Sequence, residues 1–162
     1  MAIKETAEPN IIDLDLSVTK KKRFRFDKDN NRILELNVSD MGILSRISEA
    51  YPKLHSLQEK ASKVTEGIDM DAEETIDNMK EVSARLTEID KEMRELIDYM
   101  FNANVSEVVA PDGSMYDPFE GSFRFEYIIA LLTKQYENNL SSEFSKMEKQ
   151  LNKHTKQYMK GK

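Results

Sequence analysis

Residues 71–102, DAEETIDNMKEVSARLTEIDKEMRELIDYMFN, decide how this chain folds. Ile76, Met79, Val82, Leu86, Ile89, Met93, Ile97 and Met100 recur at steps of three and four, the spacing that aligns side chains on one face of an α-helix. The faces between them carry Asp, Glu, Lys and Arg. A helix with one apolar stripe gains most of its stability from burying that stripe, so residues 71–102 need a partner.

Residues 123–158 offer one. Leu132, Tyr136, Leu140, Phe144, Met147, Leu151 and Tyr158 form a second stripe, and the two segments are expected to pair as a long antiparallel helical hairpin. The connector is residues 103–122, which holds two of the four prolines and two of the five glycines. Within it Pro111-Asp-Gly113 has turn chemistry, because proline presets one dihedral and glycine accepts a positive φ. Met115, Tyr116 and Phe119 would anchor it against the helix ends. A connector this long is either structured by its own side chains or a binding loop. Asp112, Asp117 and Glu120 have no histidine or nucleophile near them in sequence, and carboxylates alone are a weak catalytic signal.

Towards the N-terminus, residues 20–38 predict a β-hairpin: Phe24 and Phe26 alternate with Arg23 and Arg25, Asp27 to Asn31 is turn-forming, and an apolar pattern resumes at Ile33. Residues 1–19 read as a flexible or strand-forming arm, with Ile12, Leu14, Leu16 and Val18 at a period of two. Helix resumes after Ser39-Asp40, a candidate cap, with Ile43, Leu44, Ile47, Ala50 and Tyr51 on one face; Pro52 should end or kink it. Gly67 breaks the pattern before the acidic run from Asp69 to Glu74, which suits a helix N-terminus. The fold class expected is α+β, mainly α: one domain over residues 1–162, with the helical region at 39–162.

Composition excludes several classes. Without cysteine there are no disulfides, thiol nucleophiles or thiolate metal sites. The start MAIKETAEPN is unlike a signal peptide and no apolar run approaches ~20 residues, so a soluble, intracellular protein with no membrane partner is expected. The net charge of −6 is uneven: residues 66–98 carry twelve acids and four bases, whereas residues 146–162 carry one acid and six lysines. Opposed charges of this kind suit neighbouring helices or an interaction tail.

No motif points to catalysis, and no enzyme activity, cofactor or metal is expected. The run Asp27 to Asn31 superficially resembles a calcium loop, but Arg32 and Val38 stand where the glycine and the bidentate glutamate belong. His55 and His154 begin no ligand pair and read as surface helical residues. The string from Lys20 to Phe26 could meet phosphates and bases, yet an amphipathic strand with its phenylalanines inward gives the same pattern, so nucleic acid is not the expected partner.

Residues 22–54, with their pattern FRFDKDNNRILELNVSDMGILSRISEAYPKL, resemble small proteins encoded in the tail module of Gram-positive siphophages and prophages. So do residues 88–140, EIDKEMRELIDYMFNANVSEVVAPDGSMYDPFEGSFRFEYIIALLTKQYENNL, and the following MEKQLNKHTKQY at 147–158. Within that group the similarity is to tail assembly chaperones. The resemblance implies a non-enzymatic protein of the host cytoplasm that holds the tape-measure protein soluble, helps recruit tail-tube subunits and then leaves. It transfers no binding residue.

The physics of the stripes suits that role, because methionine is flexible and polarizable and adapts to apolar helical clients. The candidate partner contacts are Met79, Met93, Met100, Phe144 and Met147 on the stripes, and Met115, Tyr116 and Phe119 on the connector. Homo-oligomerisation and binding to phage tail proteins are expected. Two rival readings are a permanent structural or connector component of the particle, and a small phage inhibitor of a host defence complex whose acidic residues 66–98 mimic nucleic acid.

Overall fold

A computed structural model describes residues 10–14, 21–66 and 75–160, with the backbone alone at 75 and 154–160. It opens on an antiparallel hairpin of β1, Lys22–Arg25, and β2, Ile33–Leu36, in which Arg23 faces Glu35 and Phe24 faces Leu34. Alternation does the sorting: Phe24, Leu34 and Leu36 turn towards the core while Arg23, Arg25 and Glu35 stay in solvent. The turn places Asp27 and Lys28 at positive φ, and Asp29 Oδ1 accepts the amide of Asn31 at 2.9 Å. Residues 10–14 have no regular structure; 1–9 and 15–20, and hence most of the expected arm, lie outside the described residues.

Two helices follow, α1, Ile43–Thr65, and α2, Thr75–Phe101. They form the long antiparallel helical hairpin, and no other pair of elements packs its backbones together as extensively. Ala50 and Ala61 on α1 leave room for α2, while Leu54 and Leu57 are buried with Ile89, Met93, Ile97 and Met100. Two local expectations change. Pro52 sits within α1 on its exposed side and does not end it. The helix N-cap is Gly42, without a side-chain cap; Asp40 instead accepts the Gly42 amide at 2.9 Å and pairs with Arg46. Residues 67–74, with the acidic run, lie outside the described residues.

Helix α2 stops at a left-handed residue, Asn102, φ 48°. The Ala103 amide bonds back to the Asp98 carbonyl and the Asn102 amide to Tyr99, the paired pattern of a Schellman end. A short α3, Val105–Val109, and a two-residue hairpin, β3, Pro118–Phe119, and β4, Ser122–Phe123, lead into α4, Arg124–Lys160. Glu120 and Gly121, both at positive φ, make the tight turn between β3 and β4.

The path of α4 corrects the expected pairing. Asp90 Oδ1 accepts the Met115 amide at 2.7 Å and the Met115 carbonyl accepts the Phe125 amide at 2.9 Å, so α4 begins level with Asp90. Eleven residues on, Tyr136 meets Phe101 with ring centroids 6.0 Å apart. Helix α4 therefore runs parallel to α2, and it runs antiparallel to α1, whose His55 lies 6.0 Å from Phe125 between ring centroids. The connector carries the chain back along α2 by about 16 Å, eleven residues of helical rise. Phe125, Ile128, Ile129, Leu132 and Tyr136 complete a single core. From Ser141 to Lys153 every side chain of α4 is exposed.

Candidate protein-interaction surface

Charged side chains inside the body are occupied in holding the chain. Arg94 pairs with Asp90 at 2.7 Å and donates to the carbonyls of Ser106, Ala110 and Gly113 at 3.2, 2.8 and 2.9 Å. Asp98 accepts both the amide and the hydroxyl of Ser106, a buried polar residue. Arg124 donates to the Asp112 carbonyl, and Asp117 accepts the Ser114 amide at 2.9 Å. Arg32 pairs with Asp27 and donates to Val108 and Val109, tying the N-terminal hairpin to α3. Arg46 donates to the Met100 carbonyl at 2.9 Å, where a cation also complements the C-terminal end of α2. The connector is thus a joint fixed by arginine on backbone oxygen.

The Arg46 guanidinium on Asp40 holds its carboxyl below the usual range. Burial pushes the Tyr136 phenol up to about 12. Tyr51 is raised by burial and by Glu126, and Tyr99 by its hydrogen bond to Glu49 at 2.7 Å. These groups are dispersed, and among the described residues no cluster of histidine, aspartate and glutamate could hold a metal ion. His55 is not a surface residue: it is half-buried, edge-on to Tyr51 at 4.8 Å and to Phe125. His154 has no described side chain.

The candidate partner contacts fall into separate places. Met93, Met100 and Met115 have no exposed surface; their thioethers fill gaps in the core, and in this fold they are unavailable to another chain. Tyr116 is half-buried against the core, and Met79 is half-buried near the start of α2. Phe119 is exposed but covered on one side by Tyr127, 4.8 Å away between centroids. Only Phe144 and Met147 come together, 52% and 62% exposed on the second half of α4. Phe24 and Phe26 pack inward, so the basic N-terminal string offers no aromatic faces to bases.

Beside Phe144 lies a feature that periodicity had not isolated. Ile43, Leu44 and Ile47 of α1 face Tyr136, Leu140 and Phe144 of α4 across an open groove of about 740 Å³, rimmed by Thr133, Glu137, Ser141, Ser145 and Glu148. Next to Leu140 on α4, Asn139 Nδ2 donates to the Val38 carbonyl at 3.3 Å and to Ser39 Oγ at 3.1 Å, tying α4 to the segment before α1. Leu44 on the groove wall is 63% exposed, and Met41, three residues before it, is also exposed. The clue in the sequence is that Ile43, Leu44 and Ile47 are three apolar residues within little more than one helical turn. Their spacing alone does not say which of the three is left over.

Two further smaller hollows exist among the described residues, one between the hairpin, the connector and α4 near Arg32 and Arg124, the other between α1 and α2 near Leu57 and Leu96. No described helix is long and apolar enough to cross a membrane. Comparison with protein-family models, with curated proteins and with solved structures finds no match to this chain.

Proposed function

We propose that this protein is a non-catalytic holding factor of the phage tail assembly chaperone kind, which keeps an apolar helical client such as the tape-measure protein soluble during tail morphogenesis. The observation that supports this reading is the groove between α1 and α4. Its floor is aliphatic and aromatic, its rim is polar, and its open trough shape suits an amphipathic helix laid lengthwise, anchored by side chains at helical spacing. Glu137 and Glu148 on the rim favour a client helix with lysine or arginine beside its apolar stripe.

Co-expression with the tape-measure protein of the same tail gene cluster tests it. The expected result is a shift of the client into the soluble fraction and its co-purification with this chain, both lost in Leu44→Glu, which places a charge on the groove wall at an exposed position. Unchanged client solubility with no co-purification overturns the reading. Purified particles should lack the chain; stoichiometric amounts there would make it a permanent component instead.

A further inference from the structure

We infer that the second half of α4 is a self-association element, and that its occupant is the same segment of a second copy lying antiparallel in a two-stranded coiled coil. This goes beyond the client reading; the two share Leu140 and Phe144, which line the groove, so a client and a second copy would compete there.

The first ground is register. Leu140, Phe144, Met147, Leu151, His154 and Tyr158 are separated by steps of 4, 3, 4, 3 and 4, which is the a/d pattern of a heptad with a mean repeat of 3.5. Upstream, the buried residues Phe125, Ile129, Leu132, Tyr136 and then Leu140 step by 4, 3, 4 and 4, so the heptad phase begins where α4 leaves the core. Sequence pattern and exposure thus change at one place. Phe144 and Met147 are exposed along that seam.

The second ground is charge placement. With Phe144 at an a position, Lys146, Lys149, Lys153, Lys156 and Lys160 fall at c and f, on the outside of a two-stranded coil. The positions flanking the seam hold Ser141, Glu143, Glu148, Gln150, Thr155 and Gln157. The strongly basic tail therefore presents no lysine to its own copy.

Charge also chooses the direction. A parallel pair would bring Glu143 of each copy against Glu148 of the other, two like-charge contacts beside the seam. Antiparallel, with Met147 opposite Leu151 of the second copy, every a residue meets a d residue: Leu140 with Tyr158, and Phe144 with His154. Glu143 then faces Gln157, and one Glu148 to Glu148 approach remains. The helix dipoles oppose, and the two bodies sit at opposite ends of the rod. Six layers at roughly 100 Å² from each copy bury about 1,200 Å² in total, the lower edge of what a specific interface needs. The dimer should therefore be reversible, dissociating in the micromolar range.

The absence of cysteine makes the test direct. Full-length Met147→Cys and Leu151→Cys variants, mixed under mild oxidation, should give a disulfide-linked dimer of the two different variants, while Met147→Cys alone gives little. Analytical ultracentrifugation of the wild type should show a concentration-dependent dimer, weakened at least about ten-fold in Met147→Glu. Met147 does not line the groove, so that variant should still bind the client; loss of client with the dimer intact would instead condemn the groove. Efficient crosslinking of Met147→Cys alone overturns the antiparallel register. A wild type that stays monomeric at hundreds of micromolar, with helix content unchanged, overturns self-association.

Discussion

Helix α4 contains two halves that look alike in sequence and behave differently in the fold. Residues 124–140 and 141–160 both carry apolar side chains at steps of three and four. Yet Phe125, Ile128, Leu132 and Tyr136 lie under α1 and α2, whereas Phe144 and Met147 face solvent. A stripe states that a face needs covering; it does not state by whom. Three-dimensional length decides: α2 ends at Phe101 beside Tyr136, and beyond that level the side chains of α4 from Ser141 to Lys153 are exposed.

The sharpest way to break this contrast is a matched pair of truncations. Phe125→Ala should destabilise the fold by about 3–5 kcal/mol, because a fully buried ring leaves a cavity. Phe144→Ala, measured by denaturant unfolding at low protein concentration, should change stability by less than about 0.5 kcal/mol. Equal losses at the two sites would mean that the second half of α4 is covered within one copy.

Next comes the joint that sends α4 along α2. Arg94→Ala removes donors from three connector carbonyls and strands the partly buried carboxylate of Asp90. A loss of about 2–4 kcal/mol is expected by the same unfolding measurement, with α4 retained as helix in circular dichroism. An Arg94→Ala protein as stable as the wild type would remove the arginine clasp from this account.

A smaller effect separates the halves by pH. Tyr136 is held protonated to about 12 by burial, against an ordinary value of 10.0. Between those values the unfolded chain has lost the phenolic proton while the folded one keeps it, so folding stability falls as pH rises from 10 to 12. The loss is up to about 2–3 kcal/mol. Urea unfolding across this interval should show an alkaline decline in the wild type that is clearly smaller, relative to neutral pH, in Tyr136→Phe, where the raised phenols of Tyr51 and Tyr99 remain. Parallel profiles for the two proteins would show that the phenol is not buried as described.

The two connector glycines give the smallest contrast. Both have φ near +80°. At Gly113 an added Cβ would also meet Arg124 Nη1 at 2.7 Å and Asp117 Oδ2 at 2.8 Å, whereas at Gly121 nothing lies within 4 Å. Gly121→Ala should therefore cost about 1 kcal/mol, the left-handed backbone term alone. Gly113→Ala should cost more, by thermal melting of the pair side by side. The reverse order would contradict the placement of Arg124 over the turn.

Much of the architecture was legible because its signals are local. The hairpin followed from the alternation at Phe24 and Phe26, the helices from their stripes, and the turn at Pro111-Asp-Gly113 from its own chemistry. The direction of α4 was not, since it depends on Arg94 and Asp90 gripping backbone groups between twelve and twenty-five residues away, a contact no periodicity encodes. Pro52 misled because a proline on the exposed side of a packed helix loses one hydrogen bond to water rather than to the core. The methionines misled for a different reason: Met93, Met100 and Met115 have the chemistry of an adaptable binding face and the burial of a core. Of the residues suggested for partner contact, Phe144 and Met147 lie together on the surface, and the groove next to them depends on α1 and α4 meeting across a hundred residues of sequence.

The most direct test is amide hydrogen exchange along α4 in the full-length chain at two protein concentrations, about ten-fold below and above the dimer midpoint. Residues 125–139 should exchange slowly at both, at rates set by global unfolding, while residues 141–158 should exchange fast when dilute and become protected when concentrated. Protection of 141–158 that is already high in the dilute sample, or that never rises with concentration, would contradict a rod covered by a second copy.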